Sequence, residues 1–208
     1  MIAALFDLDG VVVDTEPQYT VFWNEIGKEH FPQEQNFSGL IKGQTLTHIL
    51  TKYFPDAKLQ EELRKRLSAF EQSMMRYPYV AGVTDYVKSL HERHIATAIV
   101  TSSDRAKMAF LYAAHPEIEQ LFGLVVTAES VKNSKPAPDC YLHAAEMLQV
   151  PISGCVVFED SLNGLASGRA AGAKVVGLAT TLPADTIRPL CDYCIADFSQ
   201  AELLPADL

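Results

Sequence analysis

Cysteine is scarce, basic residues are outnumbered, and long apolar runs are missing. The 208-residue chain has four cysteines, too few for a disulfide scaffold of this length. Cys140 and Cys155 stand alone. Cys191 and Cys194 form a C-x-x-C with no second pair and no histidine nearby, which reads as reduced thiols used as small hydrophobes. Lys plus Arg number 17 against 26 Asp plus Glu, a formal net charge of −9. That excludes general electrostatic affinity for nucleic acid or an anionic membrane. No apolar run approaches the ~18 residues of a membrane span. The apolar N-terminus meets Asp7 too early for a signal peptide, so the cytoplasm is the expected location. Neither a nucleotide P-loop (G-x-x-x-x-G-K-[ST]) nor a serine-hydrolase elbow (G-x-S-x-G) occurs.

What is present reads as an α/β protein. With 48% hydrophobic and 21% charged residues, the composition is that of an ordinary globular domain, and the length allows one domain with a modest insertion. Short apolar runs at Ile2–Phe6, Ile95–Val100, Leu124–Thr127, Cys155–Phe158 and Val175–Leu178 read as buried strands. Helical stripes lie between them: Val83, Val87 and Leu90; Met108, Leu111 and Tyr112; Tyr141, Ala144, Ala145 and Leu148. This alternation predicts a doubly wound parallel sheet covered on both faces. Thr15 to Tyr79 breaks the rhythm with three helical stripes: Tyr19, Phe22, Trp23 and Ile26; Leu46, Ile49, Leu50 and Tyr53; Leu59, Leu63, Leu67, Phe70 and Met74. Thr15 and Gln18 suggest a capping box, and Glu61–Lys65 and Glu62–Arg66 suggest i,i+4 pairs on an outer face. Arg64, Lys65 and Arg66 read as a solvated face, and His91 and His94 as surface residues. Gly164, Gly168 and Gly172 read as a small-residue helix face packed on the sheet. The expected organisation is a core of residues 1–14 and 80–208, with an all-helical domain of residues 15–79 inserted over the strand ends.

Chemistry-bearing residues recur where strands end. The first strand ends in Asp7-Leu8-Asp9-Gly10, which puts two carboxylates on one side of a strand. The second ends in Thr101-Ser102-Ser103-Asp104, hydroxyls at a helix start that suit either an anion or simple capping. Lys135-Pro136-Ala137-Pro138-Asp139 follows the third, and Glu159-Asp160-Ser161 ends the fourth. Each is ambiguous alone. A calcium loop at Asp7 fails on spacing, since Val12 stands at its glycine position and Gln18 at its final glutamate. In open parallel sheets, however, ligands bind beyond the carboxyl ends of the strands. Two acidic clusters meeting there need a cation between them, and hydroxyls with a lysine hold an anion; the combination describes phosphoryl transfer.

These four segments, in this order, resemble the haloacid-dehalogenase-like hydrolase superfamily, in its branch near β-phosphoglucomutase and the small sugar phosphatases. The resemblance covers essentially the whole chain. It implies Asp7 as a nucleophile that forms an aspartyl-phosphate and Asp9 as general acid and base. It implies Thr101, Ser102 and Lys135 as phosphate-binding. A Mg2+ would be held by Asp7, the Asp9 carbonyl and Asp160, with Glu159 assisting. The stretch 15–79 matches that branch's helical cap, where Tyr19 and Lys42 become candidate substrate-facing residues. The expected activity is Mg2+-dependent hydrolysis of a small phosphorylated metabolite, a sugar phosphate above all, by a monomer with no nucleic-acid or membrane partner. A β-phosphoglucomutase is the alternative. In place of that enzyme's cap histidine stands Tyr19, and in place of its cap-loop arginine Lys42. A non-enzymatic phospho-accepting receiver domain fits less well, because its paired acids come first in the chain.

Overall fold

The computed structural model describes residues 1–73 and 76–205. Six parallel strands form one sheet: β1 (Ala3–Phe6), β2 (Ala96–Val100), β3 (Leu124–Val126), β4 (Cys155–Glu159), β5 (Lys174–Leu178) and β6 (Tyr193–Ile195), in the order β3-β2-β1-β4-β5-β6. This is the doubly wound α/β fold the alternation predicts. Its order reverses between β1 and β4, where such sheets open a crevice at the strand ends. The strand β6 was not anticipated: three residues around Cys194 are too short to show a period.

Both faces of the sheet are covered. Alternate residues of β1 enter different cores, as the two-residue period of a strand requires. Phe6 packs on one face with Leu8, Val87, Phe122 and Phe158, and Leu5 on the other with Val157, Tyr141 and Leu165. The covering helices α5 (Val83–Glu92), α6 (Arg105–Ala114) and α8 (Asp139–Met147) present the apolar stripes read from sequence, and α9 (Leu162–Ala171) packs through a face that includes Gly164, Leu165 and Gly168. Two shorter helices, α7 (Ile118–Leu121) and α10 (Ala184–Ile187), complete the layers. Of the glycines in this stretch, Gly168 packs so closely that a Cβ there would stand 3.0 Å from Val157 and 3.1 Å from Val175, whereas Gly172 ends the helix with φ +87°. His91 and His94 are exposed, and His94 lies beyond the end of α5. The four cysteines are free thiols, and Cys191 and Cys194 pack against the second core.

Between Asp14 and Tyr79 lie α1 (Glu16–His30), α2 (Phe37–Ile41), α3 (Leu46–Tyr53) and α4 (Ala57–Ser73). They surround an apolar cluster of their own that includes Trp23, Ile26, Phe37, Leu50 and Leu63. Met74, assigned to the α4 stripe on sequence, lies outside the described residues. The chain leaves and re-enters the sheet layer at a neck where Asp14 N–H donates to Pro78 O and Val80 N–H to Val12 O. The expected capping box is absent. Thr15 caps α1 without its side chain, and its hydroxyl donates to Asp9 instead, while Gln18 bonds the backbone of Arg76. Glu61 and Lys65 pair as expected, at 3.3 Å. Arg66 turns away from Glu62 to a bidentate bond with Glu29 at 2.7 and 2.9 Å, whose fork geometry outcompetes a single i,i+4 contact.

The ring of Phe6 stacks on Phe158 at 4.7 Å and meets Phe122 edge-on at 5.6 Å. Truncation leaves a void that neighbours on two strands cannot fill. Phe6→Ala should therefore lower the unfolding free energy by ~3–5 kcal/mol, read as a drop in urea midpoint at unchanged slope.

Candidate active site

Strand order brings the first and fourth sequence motifs together. The strands β1 and β4 are neighbours in register, Phe6 opposite Phe158, so Asp7 and Glu159 leave adjacent strand ends. One oxygen each of Asp7, Glu159 and Asp160 lies within 4.8 Å of the others, and all three residues are buried. Lys135, 2% exposed, donates to Asp7 Oδ1 and Glu159 Oε1 at 2.7 Å each and to Val100 O at 3.1 Å. Tyr141 adds a hydroxyl to Glu159 Oε1 at 2.7 Å, and the Asp160 and Ser161 amides donate to Glu159 Oε2. Glu159 is thus fully satisfied. Gly164 allows this, since a Cβ there would stand 1.8 Å from Glu159 Oε1. Neither acid caps α9; Ser161 does, accepting from Gly164 N–H.

Asp160 is different. Neither of its carboxylate oxygens has a hydrogen-bond partner among the described residues. Burial, then the nearby Glu16 and Glu159 charges, push its carboxyl well above the usual carboxylate range. Burial also pushes Asp7 up to about 7, against the pull of Lys135 and with the Glu159 charge adding to the rise. Burial opposes the charge on Lys135 as well, but Asp7 and Glu159 outweigh it and hold the lysine well above its ordinary value. Of three buried carboxylates, Lys135 bonds Asp7 and Glu159, and Asp160 has no hydrogen-bond partner among the described residues. Hard oxygen donors in that arrangement fit a divalent cation such as Mg2+.

Asp9 lies two residues on in a separate environment. It accepts from Thr15 Oγ1 and from Ser103 Oγ at 3.1 Å, and Lys107 Nζ bonds both its carboxylate oxygens, lying 2.5 Å from Oδ1. Lys107, in the first turn of α6, also sits 4.3 Å from the centre of the Tyr19 ring. The Tyr19 hydroxyl donates to Glu71 Oε1 at 2.6 Å. Of these partners, Lys107, Thr15 and Glu71 are not read as site residues from the sequence, and Ser103 stands there only among the hydroxyls at a helix start. The one available signal for Lys107 was its place in the first turn of a helix that follows a strand end.

A cavity of about 580 Å³ lies between the strand ends and the helical insertion. Asp7, Asp9, Thr101, Ser102 and Asp160 line it; Lys135 and Glu159 stand behind Asp7 and do not. The Thr101 hydroxyl accepts from Ser103 N–H at 3.0 Å, and the Ser102 hydroxyl donates to Gly43 O of the insertion at 3.0 Å. Tyr19 and Lys42 also line the cavity, but Lys42 is paired with Glu16 at 2.6 Å. Arg64, read on sequence as part of a solvated face, lines the cavity instead, because α4 turns that position inward beside the buried Leu63 and Leu67.

The sequence pattern of the family described as haloacid dehalogenase-like hydrolase matches residues 4–178. The chain is 30% identical over 211 aligned residues to glycerol-1-phosphate phosphohydrolase 1 of Saccharomyces cerevisiae, covering 93% of this chain and 81% of that protein. It is 33% identical over 182 residues to a fructose-1-phosphate phosphatase of Escherichia coli, covering 83% and 93%. A solved HAD hydrolase of family IA, variant 3, from Entamoeba histolytica superposes with a TM-score of 0.79 at 26% identity, over 96% of this chain and 95% of that one.

The raised carboxyl of Asp7 has a signed consequence for the metal-free protein. Its folded value of about 7 lies above the ordinary 3.8. Stability from such a group is complete below the ordinary value and is lost as pH rises through the folded one. In EDTA, the thermal midpoint of the wild type should therefore fall relative to that of Asp7→Asn as pH rises from about 4 to about 7. Added Mg2+ should recover the wild type above that range, by binding only the folded state. A difference between the two proteins that stays flat with pH would contradict the burial of a strained carboxyl at Asp7.

Proposed function

The chain belongs to the haloacid dehalogenase-like hydrolase family, and on that premise we propose that it is a Mg2+-dependent phosphatase of small phosphorylated metabolites, sugar or polyol phosphates in particular. The observation that carries this reading is that Asp7, Asp9, Thr101, Ser102 and the unpartnered Asp160 all line one roofed cavity of about 580 Å³. That volume suits a phosphorylated sugar and not a macromolecule. The activities named for the yeast and Escherichia coli relatives point the same way.

In the mechanism the reading requires, an Asp7 carboxylate oxygen attacks phosphorus. The bond to the leaving oxygen breaks, and that oxygen takes a proton from Asp9. Asp9, now a carboxylate, then removes a proton from a water that attacks the same phosphorus, which breaks the acyl-phosphate bond and restores Asp7. Thr101 and Ser102 supply hydrogen bonds for the phosphoryl oxygens, and Lys135 supplies charge from behind the nucleophile it touches. Asp7, Asp160 and the Asp9 main chain, with Glu159 fixing the cluster, would hold a Mg2+ whose charge offsets that of the phosphoryl group. The insertion acts as a cap that limits substrate size and excludes bulk water. Arg64 is its cation facing the cavity without a partner among the described residues, whereas Lys42 is neutralised by Glu16. No helix among the described residues is long and apolar enough to cross a membrane.

Hydrolysis is favoured over isomerisation by Tyr19. Burial, with the Asp9 and Glu71 charges, pushes its phenol well above its ordinary range. It cannot pass a proton at neutral pH, so nothing at that position reserves the acyl-phosphate for a sugar hydroxyl.

Two measurements test the reading. A screen of sugar, polyol and nucleotide phosphates should show phosphate release that EDTA abolishes. Asp7→Asn should retain under about one per cent of kcat, a loss of at least ~3 kcal/mol of transition-state stabilisation. In a second assay, β-glucose 1-phosphate with a trace of its 1,6-bisphosphate should yield phosphate faster than glucose 6-phosphate. The reverse ratio would establish a mutase.

A further inference from the structure

We infer that Lys107 is a positioning residue that holds the Asp9 carboxylate in its working orientation. This rests on the reading of Asp9 as the general acid and base. The residue is 3% exposed, and a lysine is kept that deep only when its charge is matched at close range. Its match in the resting protein is the Asp9 carboxylate, both of whose oxygens it bonds; when Asp9 takes up the proton that it donates to the leaving group, its carbonyl oxygen stays with the lysine. The other two donors to Asp9 are the hydroxyls of Thr15 and Ser103, which can rotate away. The ammonium is therefore the one charged anchor of this carboxylate among the described residues.

Lys107 is itself held on several sides. Its backbone N–H donates to Asp104 Oδ1 at 2.9 Å, which pins the start of α6. The Tyr19 ring flanks its Nζ, and Tyr19 is fixed in turn by Glu71. The Glu71 carboxylate also feels the lysine's charge. A cation already surrounded by Asp9, Glu71 and an aromatic face has little charge left for a phosphoryl oxygen, although it borders the cavity. That separates it from Lys135, which touches the nucleophile. Effective proton transfer needs heavy atoms within hydrogen-bond reach, and a displacement of about 1 Å costs on the order of 100-fold in rate.

The test exploits leaving-group chemistry. An alkyl leaving group needs a proton from Asp9, whereas p-nitrophenolate departs without one. We would measure kcat/KM for glycerol 1-phosphate and p-nitrophenyl phosphate with the wild type, Lys107→Met, Lys107→Arg, Asp9→Asn and the Asp9→Asn/Lys107→Met double variant, together with thermal midpoints. Lys107→Met should lower kcat/KM for the alkyl ester by ~10–100-fold and for the aryl ester by less than about 3-fold. Lys107→Arg keeps the charge, and with it the buried pair should the methionine variant fail to fold; it should show the same contrast at smaller size. On the Asp9→Asn background, Lys107→Met should add no further loss. Equal losses on both esters, or additive losses in the double variant, would assign Lys107 to direct phosphate binding and overturn the inference. If Asp9→Asn itself affects both esters alike, the acid role of Asp9 fails first, and the positioning role falls with it.

Discussion

The ion pairs of Lys135 are the constraint on which this end of the molecule depends. Its ammonium reaches Asp7 past β1, Glu159 at the end of β4 and the Val100 carbonyl at the end of β2. It thus ties three neighbouring strand ends at one point. Without it, Asp7 and Glu159 would be buried like charges at the sheet's centre, an arrangement that costs several kcal/mol per ion in real proteins. The lysine also faces the Tyr141 ring at 5.0 Å, and that tyrosine bonds Glu159. The helix α8 is thereby docked by the same cluster that it helps to satisfy.

One lysine does not balance three carboxylates, and the imbalance is confined to the side facing the cavity. Glu159 is saturated by Lys135, Tyr141 and two amides, whereas Asp160 has no partner among the described residues. The backbone is fitted closely round this residue. Gly10 has φ +79°, and a Cβ there would stand 2.1 Å from Asp160 Oδ2, so only glycine turns the chain after Asp9 at this spot. The fold thus accepts local instability in a place where a hard divalent cation fits. The apolar layers on both faces of the sheet, well away from the cluster, supply the stability that tolerates it.

Residues whose role follows from a short-range pattern were visible in the sequence. β1 is four apolar residues ending at two acids, and the order of strands and helices follows from where such runs fall. Asp7, Glu159, Asp160 and Lys135 could be placed at strand ends because a parallel sheet brings those ends together. Side-chain pairings that no local period dictates were not visible. The Thr15 hydroxyl donates to Asp9 instead of accepting from the first amides of α1, because a carboxylate is a strong acceptor and water can satisfy those amides. Arg66 prefers Glu29, which lies 37 residues away, for its bidentate geometry. Arg64 and Lys107 each sit in a helix where lysine and arginine normally face solvent. Arg64 borders the cavity, and Lys107 is drawn inward to the Asp9 carboxylate.

Asp7 and Asp9 show how one dipeptide step can yield two kinds of carboxylate. Both lie just past the end of β1, and their spacing alone does not distinguish them. Asp7 is enclosed by Lys135 and two further acids, and its proton is held by burial up to about 7. Asp9 is only partly buried and is held by two hydroxyls and a second lysine. The two sets of partners come from different parts of the chain. Those of Asp7 lie in the motifs after β3 and β4, whereas those of Asp9 come from the neck at Thr15 and the start of α6. The Asp9 set also extends through Tyr19 and Glu71 into α1 and α4. A carboxylate fixed wholly by the sheet layer suits a group that must hold one position throughout a reaction. One anchored partly by the insertion suits a group whose placement depends on how the roof of the cavity is seated.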